Sequence, residues 1–233
     1  MANKEAFLDR LADRLGRPRI RHGHEIKKPE WRRHPWDHLY KDDSQTELIN
    51  RFEKSLTGLG GEVIRVPSLG QLRTHIHEWL EQNGFRKLIS WKQSTPVGEC
   101  LQQTLQSLQE HHVAFWDEDE EAQALIREAE QADVGFTVAE HGLAETGTVV
   151  LYNRGHCGRL VSLLPAVCAV ILPGQKIVPR LTQLLPELEA HAPDYSCMNL
   201  ITGPSRSADI EMDLSIGVHG PGRITIFLIE DKQ

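Results

Sequence analysis

A chain of 233 residues with 39% hydrophobic and 25% charged content has the composition of a soluble globular protein and is long enough to bury a sizeable core. Its net charge is −7, which argues against a nucleic-acid-binding role. No apolar run approaches the roughly 20 residues of a membrane span, and the amphipathic N-terminus has no signal-peptide core, so a cytoplasmic protein is expected.

The charge is unevenly spread. Residues 17–41 hold eight Lys/Arg against three Asp/Glu, a local +5, which leaves −12 on the rest. Residues 3–15 read as a short helix with Phe7, Leu8, Leu11 and Leu15 on one stripe. The basic stretch that follows shows no period and is read as an irregular arm, with Trp31 and Trp36 as anchors. The change of character near Lys41 divides the chain into 1–41, helix and basic arm, and 42–233, one α/β domain.

Within 42–233, helical and strand patterns alternate. Leu48, Ile49, Phe52, Leu56 and Leu59 mark a helix stopped by Gly60-Gly61. A strand follows at 63–66. Leu72, Ile76, Trp79 and Leu80 mark a second helix, closed by Asn83-Gly84. Strand Lys87–Trp91, helix 98–109, strand 113–116 and helix 122–130 come next. Further strands are expected at Val134–Val138, 148–152 and 167–172. A helix at 178–190, despite Pro179 and Pro186, precedes final strands at 197–202 and Arg223–Ile229. This alternation predicts a three-layer α/β/α architecture around a mostly parallel sheet.

Two polar-glycine segments stand out. One joins Ala132-Asp133-Val134-Gly135-Phe136-Thr137 to Ala144-Glu145-Thr146-Gly147-Thr148. The other runs Gly203-Pro204-Ser205-Arg206-Ser207-Ala208-Asp209-Ile210-Glu211, then Gly217-Val218-His219-Gly220-Pro221-Gly222. Such loops beside buried strands are where a scaffold carries its chemistry. On the rule that open α/β sheets bind ligands beyond their strand ends, the two loops should meet across one cleft. Thr146, Thr148, Ser205 and Ser207 would supply hydroxyls, Gly147, Gly203 and Gly220 close backbone approach, and Arg206 a planar fork for an anion. Asp209 and Glu211 would complete the cleft or pair with Arg206. Glu145 is the candidate catalytic carboxylate and His219 the candidate proton carrier. Plain turn chemistry is the competing account of the same glycines and acids.

Other chemistry is missing. No dinucleotide or phosphate-binding glycine motif occurs, nor a hydrolase nucleophile elbow. His22, His24, His111, His112 and His141 have no partner ligands at a recognisable spacing, so no metal site is expected. Cys100, Cys157, Cys168 and Cys197 form no close pair, so any iron–sulfur cluster should sit on another chain.

The two segments resemble the motifs of the lactate utilization protein C family, whose members carry the LUD domain. The resemblance runs from about Leu48 to Glu230 and is strongest at 144–148 and 203–221. It implies a fold similar to sugar-phosphate isomerases and coenzyme A transferases. It also implies a non-cluster role in oxidising L-lactate to pyruvate beside two iron–sulfur partners, in support of growth on L-lactate, with lactate or pyruvate as a candidate small anion. An alternative is an independent enzyme on a phosphorylated sugar or acyl-coenzyme A. There Glu145, before Thr146-Gly147, would be the nucleophile and the Gly147 N–H an oxyanion donor.

Overall fold

The computed structural model describes residues 4–16, 38–40, 42–191, 196–208, 214–217 and 219–231. Most of the expected arm, with Trp31 and Trp36, and the positions of Asp209 and Glu211 lie outside them. Contacts divide the chain into two units, Met1–His38 and Leu39–Gln233. The first holds helix α1 (Lys4–Arg14).

The second unit begins with α2 (Gln45–Gly58). Ser44 and Glu47 form a reciprocal capping box at its start, satisfying backbone donors that the first turn leaves unpaired. Then come β1 (Glu62–Val66), α3 (Leu72–Asn83), β2 (Lys87–Trp91), α4 (Pro96–Gln106), β3 (His112–Trp116), α5 (Ala122–Gln131) and β4 (Val134–Val138). The chain continues through β5 (His141–Leu143), β6 (Thr148–Asn153), β7 (Val167–Pro173), β8 (Ile177–Val178) and α6 (Leu181–His191). It closes with β9 (Cys197–Ile201), β10 (Arg206–Ala208), β11 (Leu214–Ile216) and β12 (Arg223–Ile229).

Six strands form the central sheet in the order β1-β12-β7-β4-β2-β3, and every pairing in it is parallel. Its middle strands are apolar on both faces, as a sheet covered on both sides requires. Alternate residues of β7 divide between two cores. Val167, Ala169 and Ile171 pack with α3 and α4, through Leu72, Ile76, Trp79 and Leu101. Cys168, Val170 and Leu172 pack with Leu48, Ile49, Phe52 and Leu56 of α2.

A second sheet, β8-β5-β6-β9, lies beyond α2. Val149 and Leu151 of β6 face the α2 core, while Val150 and Tyr152 face Leu184 of α6. The expected parallel architecture is therefore present, but residues 148–152 and 197–202 do not belong to the parallel sheet. They form β6 and β9, antiparallel neighbours in the second sheet. The helix expected from 178 starts at Leu181, because Ile177–Val178 pairs with β5 as β8.

Candidate functional site

The first motif is the turn of the β5–β6 hairpin. Gly147 adopts φ +64°, and a Cβ there would lie 2.7 Å from Leu56 Cα, so only glycine lets this turn rest on the end of α2. Ser55 Oγ donates to the carbonyls of Ala144 and Glu145, each at 3.2 Å. The Glu145 carboxylate accepts from Arg180 Nε at 2.8 Å, and its backbone N–H donates to Pro179 O at 3.1 Å. Glu145 thus ties the hairpin to the segment leading into α6.

The second motif leaves the end of β9. Gly203 takes φ +83°. Ser205 N–H donates to Pro221 O at 2.9 Å and Gly217 N–H to Ser205 O at 3.0 Å, so Ser205 is clasped between Gly217 and Pro221. Arg206 Nη2 donates to Leu59 O just past the end of α2. A cation is favoured there, where carbonyls lack helical partners. The partners considered from sequence, Asp209 and Glu211, lie outside the described residues. Ser207 lies in β10, and Pro204 is partly buried.

Hydroxyls join the two motifs. Thr146 Oγ1 and Thr148 Oγ1 are 2.6 Å apart, and Thr148 Oγ1 and Thr202 Oγ1 are 2.7 Å apart. The loops were expected to converge through strand ends of one parallel sheet. They meet instead because β6 and β9 are antiparallel, with Val149 opposite Ile201, which sets the start of one strand beside the end of the other.

Beside Thr202 lies a recess of about 220 Å³. Hydroxyl-bearing Ser162, Thr202 and Ser205 line it together with Gly203, Gly220 and the exposed His219. Its apolar wall is Leu163, Leu200, Ile201, Pro221 and Ile224. Cys168, 1% exposed, also lines it, and burial pushes this thiol up to about 12. None of the described lining residues carries a fixed charge. Cys168 and Ile224 stand near the starts of β7 and β12, so the recess opens at the amino ends of the parallel strands. Glu145 and Thr146 are not in its lining, and Arg206 is turned to α2. Thr202 and Leu200 were not singled out from sequence, where nothing distinguishes them from ordinary strand residues.

The carboxyl ends of the parallel strands carry a different cluster. Lys92, after β2, is ion-paired with Asp117, after β3, and His156 Nδ1 is 3.2 Å from the other oxygen of Asp117. Gln93 and Arg154 both donate to Glu140 Oε1, each at 3.2 Å. The hydrogen bond from Lys92 is the main reason the Asp117 carboxyl sits below its usual range. Asp117, Asp119 and His156 bring ligand atoms within 4.8 Å of one another, but the Lys92 ammonium already answers the charge of Asp117. Residues 154–158 are held against the strand ends: Trp91 Nε1 donates to Gly158 O at 2.8 Å, and a Cβ on Gly158 would overlap the Trp116 indole. The cluster draws on four separate segments, and no local spacing announces it.

The LUD domain model matches residues 49–229. A protein of Halalkalibacterium halodurans named lactate utilization protein C is 38% identical over 98% of this chain and 98% of its own length. One of the same name from Bacillus subtilis is 35% identical over 99% of this chain and 97% of its own. A solved structure, a DUF162 family protein from Deinococcus radiodurans, is 20% identical and covers 80% of this chain and 99% of its own, with a TM-score of 0.60, which shows the shared fold. With the domain matched over most of its length and relatives aligned nearly end to end, this chain belongs to the LUD-domain family of lactate utilization proteins.

Proposed function

We propose that this chain is the non-cluster component of a system that oxidises L-lactate to pyruvate, acting with two iron–sulfur proteins. The end-to-end similarity to proteins named lactate utilization protein C carries this reading. The cysteines support it. Burial pushes Cys157 up to about 11 and Cys168 up to about 12, which works against the thiolate that a cluster ligand must be.

The alternative, an enzyme on a phosphorylated sugar or acyl-coenzyme A, finds less support. The recess is smaller than the roughly 300 Å³ at the lower end of ligand pockets. It offers no lysine or arginine to a phosphate among its described lining residues. The carboxylate of Glu145 is engaged by Arg180, which opposes its use as a nucleophile.

The test is reconstitution with the products of neighbouring genes and omission of each component in turn. Lactate-dependent dye reduction should need this chain together with its partners. The chain purified alone should be colourless and inactive. A brown, iron-containing preparation of this chain by itself would overturn the assignment of clusters to partners.

A further inference from the structure

We propose that the crevice beyond the carboxyl ends of β2 and β4 binds a small carboxylate bearing a hydroxyl on the adjacent carbon. L-lactate is the member of that class to test first, a choice that rests on the role proposed above. β2 and β4 are neighbours in the parallel sheet, but the chain leaves them in opposite directions. From β2 it runs outward to the edge strand β3, and from β4 its next strand in that sheet is β7, on the other side. Neighbouring strands whose connections part in this way leave a crevice beyond their carboxyl ends, where open α/β sheets hold their ligands. The recess beside Thr202 lies at the opposite ends of the strands.

Three side chains bridge the crevice. Glu140 Oε1, just after β4, accepts from Gln93 Nε2, just after β2, and from Arg154 Nη2, each at 3.2 Å. One carboxylate oxygen thus holds an amide and a guanidinium side by side. Both keep unused capacity. Gln93 Oε1 is closed off from water and has no hydrogen-bond partner among the described residues. Turning the amide over does not relieve it, because its oxygen would then face the carboxylate. A buried acceptor without a donor is costly, so this oxygen points to a donor from outside the chain. Arg154, its side chain 47% exposed, gives Glu140 a single nitrogen. The other edge of its guanidinium suits a carboxylate held by two parallel hydrogen bonds. The first turn of α4 presses on the same place, since a Cβ on Gly98 would overlap Gln93 O. Its amino end adds partial positive charge beside an incoming anion.

These capacities choose the ligand. Arg154 selects a carboxylate, and Gln93 Oε1 selects a hydrogen-bond donor. Because both residues sit on one oxygen of Glu140, the ligand's two groups must be close neighbours, as they are in a 2-hydroxy acid. Pyruvate keeps the carboxylate but has a carbonyl where lactate has its hydroxyl. It leaves Gln93 Oε1 unpaired and sets a second oxygen against it. A site that hydrogen-bonds a hydroxyl discriminates strongly against the analogue that lacks it, so the crevice holds substrate and lets product go.

The experiment is calorimetric titration of the purified full-length chain with L-lactate, pyruvate and propionate, using wild type, Gln93→Met, Arg154→Gln and Arg154→Lys. Thermal unfolding confirms that each variant is folded. Wild type should bind L-lactate in the millimolar range or tighter, and about tenfold more tightly than pyruvate or propionate. Gln93→Met should lower the affinity for L-lactate alone and bring it to that of propionate. Both Arg154 variants should weaken all three ligands, since an ammonium cannot reproduce the fork. A purely structural Arg154–Glu140 pair would instead lower the melting temperature and leave affinity unchanged, which overturns the proposal. So does a wild type that binds no L-lactate, or one that binds the three ligands equally, or affinities unchanged by Gln93→Met, as for a ligand held in the recess. Dye reduction by the reconstituted system is read separately. If it needs this chain while the titrations fail, the lactate role stands and only the crevice site falls; if the titrations succeed and dye reduction does not need the chain, the site stands without that role.

Discussion

His111 sits just before β3 with its side chain 2% exposed and Glu81 at 3.7 Å. Among the described residues, neither ring nitrogen has a hydrogen-bond partner. Burial, then the neighbouring Arg86 charge, holds its pKa below the usual 6.5. The neutral ring is therefore the folded form. Its contribution is complete above the unfolded value of 6.5 and is lost as pH falls from there through the lower folded value, because the unfolded chain binds the proton first. Denaturant unfolding between about pH 7 and pH 5 should show wild type losing stability, and His111→Leu should flatten that slope. Parallel slopes would rule out His111 as the source. From sequence, nothing distinguishes His111 from His112. Their surroundings differ: the His111 side chain is buried, while that of His112 is exposed beside Glu128. Arg206 and Glu145 teach a similar lesson. Both were legible as polar residues in special loops, but Arg206 serves the end of α2 and Glu145 serves Arg180, partners that lie 147 and 35 residues away.

At the scale of elements, two glycines of nearly equal φ separate conformation from packing. Gly147 has φ +64° and a Cβ position crowded by Leu56; Gly84, closing α3, has φ +68° and open space around it. Gly84→Ala should cost about 1 kcal/mol, the strain of a left-handed alanine. Gly147→Ala should cost about 2 kcal/mol or more, because the backbone of α2 must also move. Equal losses in melting temperature would mean that the hairpin does not rest on α2. The long elements were readable because period and caps agree: Leu72, Ile76, Trp79 and Leu80 share one buried face of α3, and Asn83-Gly84 ends it. The short strands were not. His141–Leu143 has only three residues, with a glycine at its centre, and Ile177–Val178 has two ahead of a proline. Nothing local distinguishes them from turns, and their pairing partners fix them.

For the whole molecule, the family assignment leads to a physiological expectation. A strain lacking this protein, and holding no second lactate dehydrogenase, should fail to grow or grow very slowly on L-lactate while growing normally on pyruvate. Equal growth on both would remove the proposed role. The parallel sheet was legible from the alternation of helices with apolar strands, but the second sheet was not, because the registers joining β6 to β9 link residues about fifty positions apart. The order of strands has a consequence for how the protein is made. Among the described strands, β12, last in the sequence, lies between β1, the first, and β7. Until residues 223–229 leave the ribosome, β1 and β7 have no strand between them, and the apolar β7 presents an open edge. Synthesis at roughly 5–20 residues per second leaves that edge waiting for several seconds. An exposed apolar edge invites pairing with other chains. The order of strands thus makes closure of the parallel sheet wait for β12, which slides between two strands made long before it.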